Sequence, residues 1–172
     1  MHPDDFKAFQ DTGTADQSDL ITTKVEAIFG IRTGSMGFLV PTTSYCEVLD
    51  KIQVNMLPNV HHWVSGMLNL RGNLVPVFDL RVVLEEAVVD NKKRRLFAID
   101  RGDKAVALWI DGLPEITDRA SLQPLQKLPV LPELLQHFVI GGYQLNGQVW
   151  LDVKLSDLFK ALGHHQYSME EV

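Results

Sequence analysis

The stretch from residue 63 to residue 84, WVSGMLNLRGNLVPVFDLRVVL, constrains the fold more than any other part of the chain. Two apolar runs of strand length flank a short polar break, Arg71-Gly72-Asn73, a pattern typical of a β-hairpin. Pro76 has no N–H group to donate, so the second strand is predicted to lie at a sheet edge or a bulge there. Arg71 would stand at the hairpin tip, where its five N–H donors can reach an acceptor outside the core.

The overall composition excludes several classes of protein. The 172 residues suffice for one domain or two small ones, and 45% hydrophobic with 22% charged residues is ordinary for a globular chain. The net charge of −6 argues against a general nucleic-acid or anionic-membrane binder. No apolar run approaches the roughly 20 residues of a spanning helix, and the acidic N-terminus lacks a secretory pattern. A single cysteine, Cys46, fits a reducing cytoplasm.

The order of short apolar runs and turns predicts an internal repeat. Gly34 corresponds to Gly102 at the tip of one hairpin in each half, and Asp79 corresponds to Asp152 after the second hairpin. The second hairpin of the later half turns at Asn146-Gly147, which suits positive φ at both residues. Each half has the strand content of a small barrel. We therefore predict two similar β-subdomains, roughly 29–84 and 95–159, packed through a shared apolar interface. The strand at 105–110 is apolar on both faces and is predicted to be buried on both sides.

The segments outside these strands are predicted to be less regular. Residues 1–28 are a polar N-terminal extension that we expect to be mobile. Residues 111–117 are expected to continue the preceding strand, before a crossing rich in proline. A short amphipathic helix is predicted over 154–162, ending at Gly163, and a polar tail follows over 161–172.

The sequence offers few residues for chemistry, so it favours binding over catalysis and predicts neither a metal nor a cofactor. Asp79 and Asp152 are interpreted as helix N-caps rather than as an acid–base pair. His61 and His62 are adjacent, so in a strand they point to opposite faces and do not share a metal. Cys46 is interpreted as a small packed side chain. The chain contains no Walker string and no GxGxxG string.

The basic run Lys92-Lys93-Arg94-Arg95 has two interpretations. It is either a solvated loop between the subdomains, or a nucleic-acid site on a small β-barrel. No aromatic residues are interleaved with these charges, and the chain is acidic overall. Both points favour the loop, and nucleic-acid binding stays as the alternative function.

The strings Trp63-Val64-Ser65-Gly66, Asn69-Leu70-Arg71-Gly72 and Val75-Pro76-Val77-Phe78-Asp79-Leu80 resemble those of the CheW-like family of chemotaxis coupling proteins. The resemblance covers about residues 29–160. It implies an all-β fold of two five-stranded, SH3-like β-barrels with short helices, including a C-terminal one, and no catalysis. It also implies a cytoplasmic adaptor that is recruited to receptor arrays. The implied partners are the cytoplasmic tip of a chemoreceptor and the regulatory domain of a CheA-type histidine kinase. No nucleic acid, cofactor or membrane insertion is implied.

The resemblance also implies which residues contact partners. Arg71 matches the arginine of the NLRG string, and Glu47 matches the acidic residue of a short string that reads Tyr45-Cys46-Glu47-Val48 here. Tyr45 stands where the family usually has an aliphatic residue. Gly66 is expected to allow a close backbone approach, and Asn69 belongs to the same string as Arg71. The receptor is expected in a groove between the subdomains and the kinase on a barrel edge or end. The N-terminal extension and the sequence of residues 70–80, LRGNLVPVFDL, resemble those of the PilI-like branch of the family, whose members belong to type IV pilus systems.

Overall fold

The computed structural model describes residues 25–87 and 91–164, and β-strands dominate its regular structure. The strands are β1 (Ala27–Thr33), β2 (Met36–Pro41), β3 (Cys46–Leu49), β4 (Val64–Leu70), β5 (Asn73–Phe78), β6 (Arg94–Ile99), β7 (Val106–Asp111), β8 (Glu115–Asp118), β9 (Gln123–Pro124), β10 (Val139–Leu145) and β11 (Gln148–Val153). The helices are α1 (Leu80–Val83), α2 (Glu133–Gln136) and α3 (Leu155–His164), with 3₁₀ turns at Asn91–Lys93, Gly102–Lys104 and Arg119–Ser121. The predictions of a mobile extension and a polar tail fall largely outside the described residues.

The strands form two sheets, which confirms the all-β prediction. One sheet has six strands in the order β8-β1-β2-β11-β10-β9, and the other has five in the order β3-β6-β7-β5-β4. The sixth strand, β9, is a two-residue segment of the proline-rich crossing that pairs with Tyr143 and Gln144 of β10. The five-stranded sheet curls back on itself. The chain that follows β3 reaches β4, where Asn55 and Met67 exchange backbone hydrogen bonds of 2.7 and 2.9 Å.

All four predicted hairpins are present, as β1–β2, β4–β5, β6–β7 and β10–β11. The turn at Asn146 and Gly147 has φ values of 51° and 76°, as its sequence predicts. Pro76 lies in β5, which is an internal strand, but β7 pairs only with Val77 and Phe78. Pro76 therefore lies just past that pairing, and its missing N–H removes no hydrogen bond to β7.

The internal repeat is visible in the pairing of the sheets. Residues 77–78 of β5 pair in parallel with residues 107–108 of β7, and the equivalent residues 150–151 of β11 pair in parallel with residues 37–38 of β2. Both second hairpins also carry a register shift at matching places, between Val64 and Gly66 and between Val139 and Gly141. The two halves of the chain thus repeat the same local geometry.

The two sheets do not coincide with the predicted halves 29–84 and 95–159, because the halves exchange their first hairpins. Hairpin β1–β2 joins β10–β11 of the later half, and hairpin β6–β7 joins β4–β5 of the earlier half. The prediction that residues 111–117 continue β7 is also wrong. The chain turns at Gly112, with φ of +73°, and β8 pairs with β1 in the other sheet. Repeated halves have similar strand patterns, so the local sequence does not distinguish pairing within a half from exchange between halves.

The core consists of two barrel interiors and one larger cluster between the sheets. Leu96 and Ala98 of β6 face the interior of the five-stranded sheet, whereas Phe97 and Ile99 face the cluster between the sheets. Strand β7 alternates in the same way, which confirms the prediction that it is buried on both faces. The smaller interior of the six-stranded sheet contains Trp150. The predicted apolar interface between two β-layers is therefore present.

The three short helices pack against the cluster between the sheets. Asp79 caps α1, because its side chain accepts a hydrogen bond of 3.1 Å from the Arg81 N–H, as predicted. Asp152 lies within β11 and α3 begins only at Leu155, so the prediction that Asp152 caps this helix is wrong. Helix α3 continues through Gly163, and the Trp63 indole N–H donates a 3.2 Å hydrogen bond to the Leu162 carbonyl.

A network of buried and partly buried charges connects the two sheets. The Arg94 guanidinium forms a two-pronged ion pair with Asp79, at 2.7 and 2.8 Å, and lies 3.5 Å from Asp111. Arg81 also bonds Asp111, at 2.9 Å, and the same carboxylate accepts a 2.7 Å hydrogen bond from the Gly34 N–H at the tip of β1–β2. Only 1% of the Arg94 side chain is exposed. This residue thus belongs to the junction between sheets and not to a solvated loop.

Candidate functional site

An exposed, two-pronged ion pair joins the two residues for which the resemblance implies a partner role. The Arg71 guanidinium donates hydrogen bonds of 2.6 and 2.8 Å to the two carboxylate oxygens of Glu47. The Arg71 side chain is 66% exposed and that of Glu47 is 21% exposed. Both oxygens of the carboxylate are used, whereas Arg71 keeps N–H donors that face solvent. The pair therefore presents a fixed cationic group on the surface.

Closure of the five-stranded sheet brings these two residues together. Glu47 lies on β3, and Arg71 lies at the tip of β4–β5, at the opposite end of the strand order. The hydrogen bonds between Asn55 and Met67 join the chain that follows β3 to β4. The hairpin tip can then reach across to β3, so the ion pair depends on the curvature of the sheet.

The pair remains charged at neutral pH. The hydrogen bonds from Arg71 lower the pKa of Glu47 below its usual range, and the charge of Arg101 acts in the same direction. The same hydrogen bonds raise the pKa of Arg71. Because the pKa of Glu47 is lowered, the pair persists through neutral pH and weakens only as the pH falls through that lowered pKa.

The backbone of the turn holds Arg71 in a conformation that is unusual for arginine. Arg71 has φ of 51° and Gly72 has φ of 86°, so both residues lie in the left-handed region. The Asn69 side-chain oxygen accepts a 2.9 Å hydrogen bond from the Gly72 N–H. Asn69 thus supports the turn from which Arg71 projects.

Gly66 lies at the register shift of β4, away from the ion pair. Its φ is +143°, and an added Cβ atom would overlap the carbonyl oxygen of Asn55. The close backbone approach expected from the sequence is therefore one between two segments of this chain. Gly66 holds the segment before β4 against the sheet.

Tyr45 lies beside the ion pair, together with a residue that sequence reasoning did not select. The guanidinium carbon of Arg101 lies 3.4 Å from the centre of the Tyr45 ring, a stacked cation–π contact. Both side chains line a cleft of about 410 Å³ with Glu47 and Arg71. Arg101 was recognised in the sequence only as part of a hairpin turn. The signal that could have found it is the pattern of hairpins: turn β6–β7 is one of the four predicted hairpin tips, and this tip and that of β4–β5 both line the cleft.

A second, more apolar cleft of about 630 Å³ adjoins this one. Its apolar wall comes from the five-stranded sheet, the segment before β4 and helix α3, and consists of Leu57, Met67, Pro76, Phe78, Ala105, Val106 and Phe159. Asp100 and Ala105 line both clefts, so the two are contiguous. Charged and polar groups, including Lys104, Lys160 and His164, surround the apolar wall. This combination suits an amphipathic helix of a partner.

The remaining candidates from the sequence carry less chemistry. Burial raises the pKa of the Cys46 thiol to about 11, so this cysteine is protonated at neutral pH. Among residues 25–87 and 91–164, no group of three or more histidine, cysteine or acidic side chains could hold a metal ion. None of the described helices is long and apolar enough to cross a membrane. In the basic run, Lys92, Lys93 and Arg95 are exposed, whereas Arg94 is buried in its ion pairs.

The fold and this surface together define a class of protein: a β-protein of two intertwined barrels that carries an exposed ion pair beside an apolar cleft. The family model for the CheW-like domain matches residues 27–163. The chain therefore belongs to the CheW-like family, which confirms the resemblance noted in the sequence.

Individual relatives support the same assignment. The chain is 32% identical over 123 residues to Protein PilI of Pseudomonas aeruginosa, which covers 71% of this chain and 68% of that protein. It is 28% identical over 93 residues to Chemotaxis protein CheW of Helicobacter pylori, covering 54% of this chain and 56% of that protein. The scaffolding protein TtCheW of Thermoanaerobacter tengcongensis has a similar fold, with a TM-score of 0.63 at 20% identity, over 80% of this chain and 94% of that one. The similarity to PilI supports the PilI-like branch.

Proposed function

We propose that this chain is a non-catalytic adaptor that couples a chemoreceptor to a CheA-type histidine kinase in the cytoplasm, at receptor arrays. Membership of the CheW-like family and the similarity to PilI support a chemosensory system of the type IV pilus kind. The observation that carries the proposal is the exposed pair between Arg71 and Glu47. A charged group held rigidly on a surface loses little conformational freedom on binding, which favours recognition.

The receptor tip is proposed to bind across the two contiguous clefts. A receptor helix would place its apolar residues against Met67, Phe78 and Phe159, and its polar side beside Arg71. This is a helix-in-groove contact, in which apolar anchors supply affinity and the charged rim supplies orientation. The resemblance implies a receptor groove between the subdomains. The proposed contact places the receptor helix in a smaller region, the space between the five-stranded sheet and α3.

Replacing Arg71 with glutamate tests the receptor surface. We expect R71E to weaken binding to a soluble chemoreceptor signalling fragment from the same genome by about tenfold or more, because it reverses the exposed charge and places it beside Glu47. Isothermal titration calorimetry would measure the affinity, and circular dichroism would check the fold. R32E is the matched control, since Arg32 is also exposed and ion-paired, with Glu115 at 3.1 Å, but lies in the other sheet. Equal affinities of R71E and R32E would contradict the proposed surface.

The kinase is proposed to dock on edge strand β8 of the six-stranded sheet. This strand pairs with β1 on one side, and its residue Ile116 is 72% exposed. Leu113, in the preceding turn, is also exposed. An edge strand with exposed apolar side chains is suited to contact another β-domain.

Replacing Ile116 with lysine tests the kinase surface. We expect I116K to weaken binding to the isolated regulatory domain of the kinase by about tenfold, because it puts a charge into an apolar contact. Binding to the receptor fragment should stay unchanged, since β8 is not part of either cleft. The comparison is made by titrating the same protein with each partner. Loss of receptor binding instead of kinase binding would show that the two surfaces are assigned the wrong way round.

The nucleic-acid alternative gains no support. Arg94 is buried in ion pairs with Asp79 and Asp111, so one of the four cations of the basic run is not available to a ligand. The family and the named relatives belong to chemosensory systems or share their fold.

A further inference from the structure

We infer that Arg101, stacked on Tyr45, is a second contact point of the receptor surface and binds a carboxylate of the receptor tip. The inference rests on the proposed function and adds to it a residue, Arg101, and a chemical class of partner group. It is argued from the position of Arg101, its unused N–H donors and its relation to the pair between Arg71 and Glu47.

The backbone holds Arg101 and Tyr45 together. The Asp100 N–H donates a 2.9 Å hydrogen bond to the Tyr45 carbonyl, and the next residue, Cys46, pairs with Ile99 in the sheet. Tyr45 therefore lies directly opposite the start of turn β6–β7, and the guanidinium of Arg101 stacks on its ring at 3.4 Å. An arginine fixed by stacking on an aromatic ring loses less freedom on binding than a mobile one.

The stack leaves the edge of the guanidinium free to bind a partner. Within the described part of the chain, Arg101 forms no ion pair at 4.0 Å or less. The nearby Glu47 does not serve it as a close acceptor, because Arg71 occupies both carboxylate oxygens. A guanidinium has N–H donors and no acceptor, so the complementary group must be an acceptor. A carboxylate, which can accept two parallel N–H bonds, fits this geometry best.

Directed hydrogen bonds rather than net charge account for this recognition. The cleft contains Arg71 and Arg101, but also Glu47 and Asp100, so its formal charges balance. The two guanidinium groups lie on separate hairpin tips, with Tyr45 and Glu47 between them on one face of the chain around β3. A partner is therefore selected by where its carboxylate lies relative to these two groups.

Titration of the whole protein with the chemoreceptor signalling fragment tests the assignment. We expect R101A to weaken binding about tenfold, with R101K in between, because lysine keeps the charge but loses the planar fork. Y45L should also weaken binding, because it removes the ring on which Arg101 stacks. R32A in the other sheet is the matched control. Wild-type affinity of R101A, with an unchanged circular dichroism spectrum, would overturn the inference.

A charge exchange separates a direct contact from a structural effect. Each aspartate and glutamate of the receptor tip is changed to lysine in turn, and each variant fragment is titrated with wild type and with R101E. We expect one of these lysine-substituted fragments to bind R101E at least tenfold more tightly than it binds the wild type. In that pair the opposite charges face each other again, with the positive charge now on the receptor. Absence of any restored pair would overturn the carboxylate assignment. Wild-type protein that fails to bind any receptor fragment would overturn the proposed function itself, whereas loss of binding in R71E but not in R101A would overturn this inference alone.

Discussion

Replacing Arg94 with methionine is expected to lower the free energy of unfolding by about 3–5 kcal/mol, the usual cost of breaking a buried ion pair from one side. Arg94 and Asp79 are almost fully buried and share two hydrogen bonds, and Asp111 lies 3.5 Å away. Methionine fills part of the space of the arginine but leaves the Asp79 carboxylate buried without its counter-ion. Urea unfolding followed by tryptophan fluorescence measures the loss.

Two further variants make this experiment specific. The adjacent, exposed Lys93 provides the control, because K93M should change stability by no more than about 0.5 kcal/mol. The double variant R94M/D79N should recover part of the loss. Asparagine removes the uncompensated charge and keeps an oxygen that can cap α1. Similar stabilities of R94M and K93M would contradict the role of the network.

Replacing Gly66 with alanine is expected to destabilise the protein by about 2–6 kcal/mol, because two costs combine. A φ of +143° is strained for any residue with a Cβ atom, a cost of about 1–3 kcal/mol. The added methyl group also overlaps the backbone carbonyl of Asn55, and forcing atoms into a packed site costs about a further 1–3 kcal/mol. The obstacle is backbone that is hydrogen-bonded to Met67, so it cannot move away without breaking the closure of the barrel.

Comparing G66A with the variant G72A separates the conformational cost from the steric cost. The Gly72 φ of +86° is also unfavourable for alanine, but an added Cβ atom would meet nothing within 4 Å. We expect G72A to cost only about 1–2 kcal/mol, the conformational term alone. Urea unfolding of the two variants side by side gives the difference. If G66A and G72A were equally stable, steric contact with Asn55 would not be the reason that a glycine is present in β4.

The candidate site was predictable in part, for a reason that its residues make clear. Arg71 stands at the tip of an unmistakable hairpin, and Glu47 lies in a string that resembles the family, so both were selected from the sequence. That they form an ion pair was not predictable, because they lie on strands at opposite ends of the sheet order and meet only through closure of the barrel. Arg101 was missed because its contact with Tyr45 depends on the register between β3 and β6.

The buried charges show the same limit of local reasoning. Lys92, Lys93, Arg94 and Arg95 look alike in the sequence, and a run of four cations is usually a solvated surface. Arg94 alone is buried, because strand β6 begins at this residue and two acids, the buried Asp79 and the partly exposed Asp111, lie within its reach. Which cation of such a run is buried depends on where acidic residues from distant segments lie. The sequence of the run itself therefore does not predict it.

The sequence by itself determined the four hairpins, the strand buried on both faces and the cap of α1, because each depends on neighbours within a few residues. It also determined the internal repeat, because the same order of apolar runs and turns occurs twice along the chain. Only the tertiary structure decided that the halves exchange their first hairpins. Both copies of the repeat offer parallel pairing partners of similar pattern, as the matched pairs of β5 with β7 and of β11 with β2 show. The choice between them depends on packing across the whole chain, in which the Gly34 tip is bound by Asp111 of the other sheet.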